Sequence, residues 1–499
     1  MNIAHSSYRF KPLMALPSVA LALWWTTVLV GCATTGPDFK PPAPPAVQNY
    51  TATELPTRTA SAPGALGKAQ HFTPQAPIGS AWWQQFGSPK LNALIEEALQ
   101  SNPTLEASQI TLNQAEQTYA AQAGSTLYPR VDAGLGGGRE HFNASSLGLP
   151  IANTFDLYNA SVGVSYNLDL AGGNRRLLEV LAAQTDYQRF QVDGARLTVA
   201  ANVTTGAIVQ AQLAAQIATS EQILAAQTEQ FALTRQRLAL GNASDADMLA
   251  LQTQVEQTRA SIVPQRNRLE QTNHLLAILV GKPPGDAPMP QFTLADFTLP
   301  TDLPLRIPSE LVRQRPDIQA AEALLHVANA QFGVAVSRLY PQLTLSSSLG
   351  SLTNASLFGP GSMVWGVAGQ LAQPLFDAGL RPSANAAEAG FNAAAANYRQ
   401  TVLQALRNVA DVLRALDNDA QALQAQTAVH SSVLRSLELV QQQYRQGTAN
   451  YLQLLTAQQQ EQQTRISLIT AQAQRLADTA ALYQSMGGGQ DYRLSTNYP

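Results

Sequence analysis

The sequence predicts a mainly helical protein with a small β part, built as two copies of a long coiled-coil hairpin, each preceded by two strands. Three observations predict it. Charged residues make up only 13% of the chain, and the abundance of Ala and Gln is a helical composition whose polarity comes from amides. The chain also repeats itself: Asn102-Pro103 answers Arg315-Pro316 and Gly241 answers Gly447, an offset drifting from 213 (315 − 102) to 206 (447 − 241). Finally, apolar residues recur every seven positions over two long stretches, the signature of helix-on-helix packing.

Arg9 and Lys11 precede an apolar run from about Leu13 to Leu29, and residues 1–31 read as a secretory signal. Leu29-Val30-Gly31-Cys32 looks like a bacterial lipobox, with Cys32 as the lipidated residue. Cys32 is the single cysteine, so it cannot form an internal disulfide, and no second thiol exists to share a metal. Acyl chains contribute about 0.8 kcal/mol per buried methylene. The residues that follow are Ala33 and Thr34, not the Asp of inner-membrane retention, which implies the outer membrane. Residues 32–79, rich in Pro, Thr and Ala, read as an extended spacer unable to bury a core.

The first copy is placed at 80–287, a connector at 288–308, the second copy at 309–487 and a tail at 488–499. Each copy opens with a helix, about Lys90–Leu127 and Ser309–Leu339, stopped by a Tyr-Pro step. Two strand-like segments follow. In "ASVGVSYNLDL" Ala160, Val162, Val164, Tyr166, Leu168 and Leu170 alternate strictly with Ser161, Gly163, Ser165, Asn167 and Asp169. Leu343 and Leu345, then Trp365 and Val367, alternate more weakly. The long stretches Gly173–Leu240 and Gly379–Gln446 come next, each turning at a glycine into a returning helix. Their seams are Ile217, Leu224, Phe231 and Leu238, and Leu416, Leu423, His430, Leu437 and Tyr444. A helix of that length spans roughly 100 Å, which suits a protein that bridges a distance.

Four strands leave two bare edges. If the apolar face meets lipid, those edges must pair with other chains to close a pore, apolar outside and polar inside. Net charge is −3, and no basic surface recommends nucleic acid. The sequence has no phosphate loop, H-E-x-x-H or G-x-S-x-G, and Glu96-Glu97 reads as a solvated helix pair. No catalytic or metal-binding residue is assigned.

These features resemble the TolC-like outer-membrane efflux protein family, lipidated OprM/NodT branch. The carriers are "GCATTGPDFKPP", "WWQQFGSPKLNALIEEALQSNPTL", "RPDIQAAEA", "LYPQLTL", "FDAGLRPSANAAEA", "YRQGTANYLQLLTAQ" and "LYQSMGGG". The resemblance implies a homotrimer, a twelve-strand transmembrane β-barrel and an α-barrel of coiled-coil hairpins across the periplasm. It implies a duct passing small molecules such as drugs from an inner-membrane pump of the RND type through a periplasmic adaptor, with no cofactor beyond lipid on Cys32. It assigns adaptor contact to Gly241, Ser244, Gly447 and Thr448. The family often has aspartates six and nine residues after the second tip glycine. Here those positions are Gln453 and Thr456. Tyr451 and Leu452 are the bulky candidates for a constriction, and a closed state held by packing and neutral hydrogen bonds is expected. Asp245 and Asp247 either supply charge near the first tip or face water. His430 reads as a seam residue rather than a pH sensor, and Asp411, Asp417 and Asp419 as helix-face charges. The rival reading is a periplasmic adaptor or structural coiled-coil lipoprotein.

Overall fold

Two proline steps break helices that the sequence alone left continuous. The computed structural model describes residues 34–74, 76–143, 152–286, 288–354 and 362–489. In chain order its elements are β1 His71–Pro74, α1 Pro89–Ser101, α2 Pro103–Leu127, β2 Arg130–Asn143, β3 Ala152–Leu168, α3 Gly173–Ala239, α4 Asp245–Leu279, β4 Asp302–Leu305, α5 Pro308–Leu311, α6 Pro316–Ser337, β5 Gln342–Thr353, β6 Met363–Ala372, α7 Leu380–Arg445 and α8 Tyr451–Ser485. The helix expected over Lys90–Leu127 is therefore α1 and α2. Pro103 has no amide to continue α1, and Asn102 at the break accepts from the Thr104 and Leu105 amides, both at 3.0 Å. Its Nδ2 donates to the Leu279 carbonyl at 2.8 Å. The helix expected over Ser309–Leu339 breaks likewise before Pro316, where Arg315 donates to the Ser485 carbonyl at 2.7 Å. Leu279 and Ser485 close the returning helices of the two copies, so both breaks are pinned to the same place.

The chain forms two compact units. One comprises residues 34–40, 115–184 and 324–395. It holds an antiparallel sheet in the order β2-β3-β5-β6, so the two copies meet where β3 pairs β5. Val164 lies opposite Val131 on one side and Ser347 on the other, and Leu349 lies opposite Trp365. The alternation read from β3 holds through Leu168. Beside the sheet, Val180 and Ala183 of α3 pack with Val327 and Ala330 of α6.

The other unit comprises residues 41–114, 185–323 and 396–489. It contains the hairpin α3–α4, the hairpin α7–α8 and the main core, where Phe86, Leu91 and Ile95 are fully buried and Trp82 stacks on Tyr483 at 5.4 Å. Burying each such side chain stabilises by about 1.5–3 kcal/mol. Ile217, Leu416 and Leu423 of the predicted seams are buried, while Leu224, Phe231, Leu238, Leu437 and Tyr444 are half-buried, so the seam opens toward the tips.

The segment 32–79, expected as a spacer unable to bury a core, lies partly inside the main core, and the connector joins it there. Leu66, Gln70 and Ile78 of the Pro-rich stretch are buried. Arg475 of α8, also buried, donates to the carbonyls of Leu66 and Lys68 and to Thr59 Oγ1 and Gln70 Oε1 at 3.0–3.3 Å. Burial pushes its guanidinium pKa down, and these acceptors offset the cost of the buried charge. The connector contributes Phe292, Phe297 and Leu303, and β4 within it pairs in parallel with β1. Composition marked the first segment as extended, and both are laid against a core that the long helices supply.

Candidate functional site

The sheet separates its side chains by chemistry. Directly opposed residues share a face. One face therefore carries Val131, Leu135, Val162, Val164, Leu345, Leu349, Trp365 and Val367, and the other Gly134, Ser161, Gly163, Ser165, Ser346, Ser348 and Gly366. The apolar face stands open, with Leu135 at 84%, Trp365 at 73% and Val367 at 75% exposure. A contiguous open apolar face marks contact with lipid or a partner. Among the described residues no helix is long and apolar enough to cross a membrane, and no strand lies beyond β2 or β6.

The chain just after the predicted anchor is fixed against this unit. The Thr35 amide donates to the Ala171 carbonyl at 3.1 Å. Arg176 donates to the Thr35 carbonyl at 3.1 Å and pairs with Asp38 at 2.7 Å and Glu179 at 2.6 Å. Phe39 stacks on His326 at 4.2 Å, and His326 Nε2 lies 2.7 Å from Glu179. The His326 hydrogen bond and the Arg176 pairing hold the Glu179 carboxyl below its usual range. Gly36 crosses Gly333 so closely, at positive φ, that an added Cβ would lie 2.8 Å from the Gly333 Cα. Cys32 itself lies outside the described residues, as do the outer parts of the loops around Phe142–Asp156 and Ser351–Ser362.

The two hairpin tips lie in the other unit and share one plan. Gly241 (φ 74°) and Gly447 (φ 78°) end their helices in the left-handed region. The amides of Asn242 and Thr448 reach back to the carbonyls of Arg237 and Gln443 at 2.8 and 2.9 Å. Ser244 then caps α4: its Oγ accepts from the Asp247 amide at 3.1 Å, while Asp247 accepts from the Ser244 amide at 3.3 Å. Asn450 and Gln453 exchange the same bonds at 2.8 and 2.9 Å. These boxes satisfy amides that a helix start otherwise leaves unpaired. Gly241, Ser244, Gly447 and Thr448 are exposed.

The expected aperture residues divide. Leu452 is 65% exposed. Gln453 is bent back into its capping box, and Thr456 Oγ1 donates to the Leu452 carbonyl at 2.9 Å. Tyr451, expected beside Leu452 as a constriction, is instead buried with Leu251 and Leu455, 5.9 Å from the Tyr444 ring. Burial pushes its phenol pKa up. Successive residues of a helix point about 100° apart, and here that rotation turns Tyr451 inward and Leu452 out. Asp245 is exposed, and Asp247 is occupied by its cap.

His430 lies half-buried, 3.2 Å from Thr464, as a seam residue should. Asp411 faces solvent beside Arg407, and Asp417 accepts from Gln421. Asp419 is different. Burial, and then its neighbour Asp419, push the Asp478 carboxyl up to about 8. Sequence reading missed this pair because its members are about sixty positions apart on antiparallel helices. Arg475 and its N-terminal partners were missed because 405 to 416 positions separate them.

A family model described as outer membrane efflux protein matches residues 94–282 and 307–488, more than half of the chain. Outer membrane protein OprJ of Pseudomonas aeruginosa is 28% identical over 96% of this chain and 97% of its own length. Probable outer membrane lipoprotein SilC of Salmonella typhimurium is 26% identical over 93% and 96%. The solved structure of the outer-membrane channel OprN superposes with a TM-score of 0.82 at 25% identity, covering 92% of this chain and 99% of that one.

Proposed function

The chain belongs to the outer membrane efflux protein family, and on that premise we propose that it is the exit duct of a tripartite efflux system, passing small molecules such as drugs to the exterior. Three copies would close a twelve-strand β-barrel, continued by an α-barrel of the long hairpins. The tips at Gly241, Ser244, Gly447 and Thr448 would meet a periplasmic adaptor fed by an inner-membrane pump of the RND type. Leu452, Gln453 and Thr456 would narrow the periplasmic aperture. Lipid on Cys32 would tether the N-terminus, and the fixed path of Thr34–Phe39 and the lipoprotein relative support that tether.

The observation that carries this reading is the open, largely apolar face of a four-stranded sheet whose opposite face is mostly small and polar, with Ser and Gly the commonest residues. An adaptor or purely structural coiled-coil lipoprotein has no use for such a face. A channel wall needs it, because lipid demands apolar side chains outside and paired backbone throughout. Purified protein added to planar bilayers should give discrete channel steps. Leu452→Ala should raise the closed-state conductance severalfold. Bilayers that stay silent at all voltages would contradict the duct, and an unchanged closed state in Leu452→Ala would remove that residue from the aperture.

A further inference from the structure

The duplicated chain contains a template for its own subunit contact. Within the chain, copy one meets copy two where β3 pairs β5. On the trimer reading above, copy two of one subunit meets copy one of the next where β6 approaches β2. Both junctions have the same polarity. Arg130 pairs Ser165, Leu168 pairs Leu343 and Gln342 pairs Ala372, so the start of β2 and the end of β6 lie at one end of the sheet. Edge-to-edge closure is therefore antiparallel, as β3–β5 is.

We infer that the β6–β2 seam between subunits repeats the β3–β5 register, setting Leu371 opposite Leu135 of the partner subunit. Two offsets carry one seam onto the other. β2 and β5 begin at Arg130 and Gln342 after the same Tyr-Pro step, an offset of 212 (342 − 130). α3 and α7 begin at Gly173 and Leu380 after the same Ala-Gly step, an offset of 207 (380 − 173). The second offset carries Tyr158 onto Trp365, aromatic onto aromatic, and keeps every residue on its own face. Val164 with Ser347 thus becomes Leu371 with Leu135 of the partner subunit. Leu371 and Leu135 are 63% and 84% exposed in the single chain, and the mapping sets them against each other. A slip of one residue would turn an apolar row inward, which the polar face forbids.

Opposed residues of an antiparallel pair have Cα atoms about 4.5–5.5 Å apart, within disulfide reach. The full chain carrying L371C and L135C, oxidised in outer membranes, should give covalent dimers and trimers on denaturing gels. L371C with A133C or with G137C should give at least about fivefold less, since a shift of two residues moves the partner about 7 Å along the strand, out of disulfide reach. V164C with S347C, an opposed pair inside one chain, controls the oxidant, and the single variants L371C and L135C control for Cys32. A stronger ladder from a shifted pair, or none from any pair in protein whose native mass is trimeric, overturns the register. A monomeric native mass overturns the trimer itself.

Discussion

At the first hairpin tip the residues after the cap are Asp245, Ala246 and Asp247. At the second they are Tyr451, Leu452 and Gln453. The backbone is the same at both, with a left-handed glycine, a back-reaching amide and a reciprocal capping box. The chemistry has diverged. One tip presents acid to a helix N-terminus, where the macrodipole favours it. The other gives up that charge, buries an aromatic ring against Leu251 and leaves Leu452 in solvent. Duplication has preserved the turn, which geometry dictates, and freed the side chains, which function can use differently.

The largest expected effect is on the buried ring. Tyr451→Ala removes the centre of the cluster with Leu251 and Leu455 and should lower the local opening free energy of the second tip by about 3 kcal/mol, read by hydrogen exchange of the α8 amides near the cap. Asp245→Ala, at the matching position, should leave the first tip within about 0.5 kcal/mol. Equal effects at the two tips would erase the distinction drawn between them.

The copies also differ along their returning helices, where α8 has Asp478 and α4 has Thr272. Folded, Asp478 keeps its proton up to about pH 8, against an ordinary value of 3.8. Between those values the native state binds more protons than the unfolded chain, so this contribution to stability falls as pH rises. The groups facing it are Asp419 of α7 and Gln474 of its own helix. Melting temperature should drop between pH 5 and about 8, and Asp478→Asn should flatten that drop. Parallel profiles for both proteins would show that Asp478 titrates normally.

Smaller effects concern the caps. Ser244→Ala should cost about 1 kcal/mol by removing the acceptor for the Asp247 amide, seen as earlier proteolysis at the first tip. Gln453→Glu should make the second tip resemble the first and stabilise it by about 0.3–1 kcal/mol at low salt. That gain should fade as salt is raised, and a gain indifferent to salt would point to something other than the dipole.

Much of this fold was legible because it rests on period and repetition. The alternation around Val164, the glycines at 241 and 447 and the seam through Leu416 and Leu423 each carry a local signature, and the structure places them as that signature requires. Contacts between distant segments left no such trace. Nothing around Leu66 or Gln70 announces Arg475, and nothing around Asp478 announces Asp419. Pro103 and Pro316 fall inside the spans expected as single helices, and the breaks there are pinned by the distant Leu279 and Ser485 carbonyls. At the second tip, composition named Tyr451 and Leu452 together. Only the helix's rotation decides that the tyrosine turns in and the leucine out.

The central claim is that open-edged sheets and long hairpins from several copies make one tube. Protein extracted from outer membranes in mild detergent and imaged as single particles tests it most directly. The account predicts threefold particles with a closed barrel continued by a helical tunnel of roughly 100 Å. Monomers, or assemblies in which β2 and β6 remain unpaired, would contradict it.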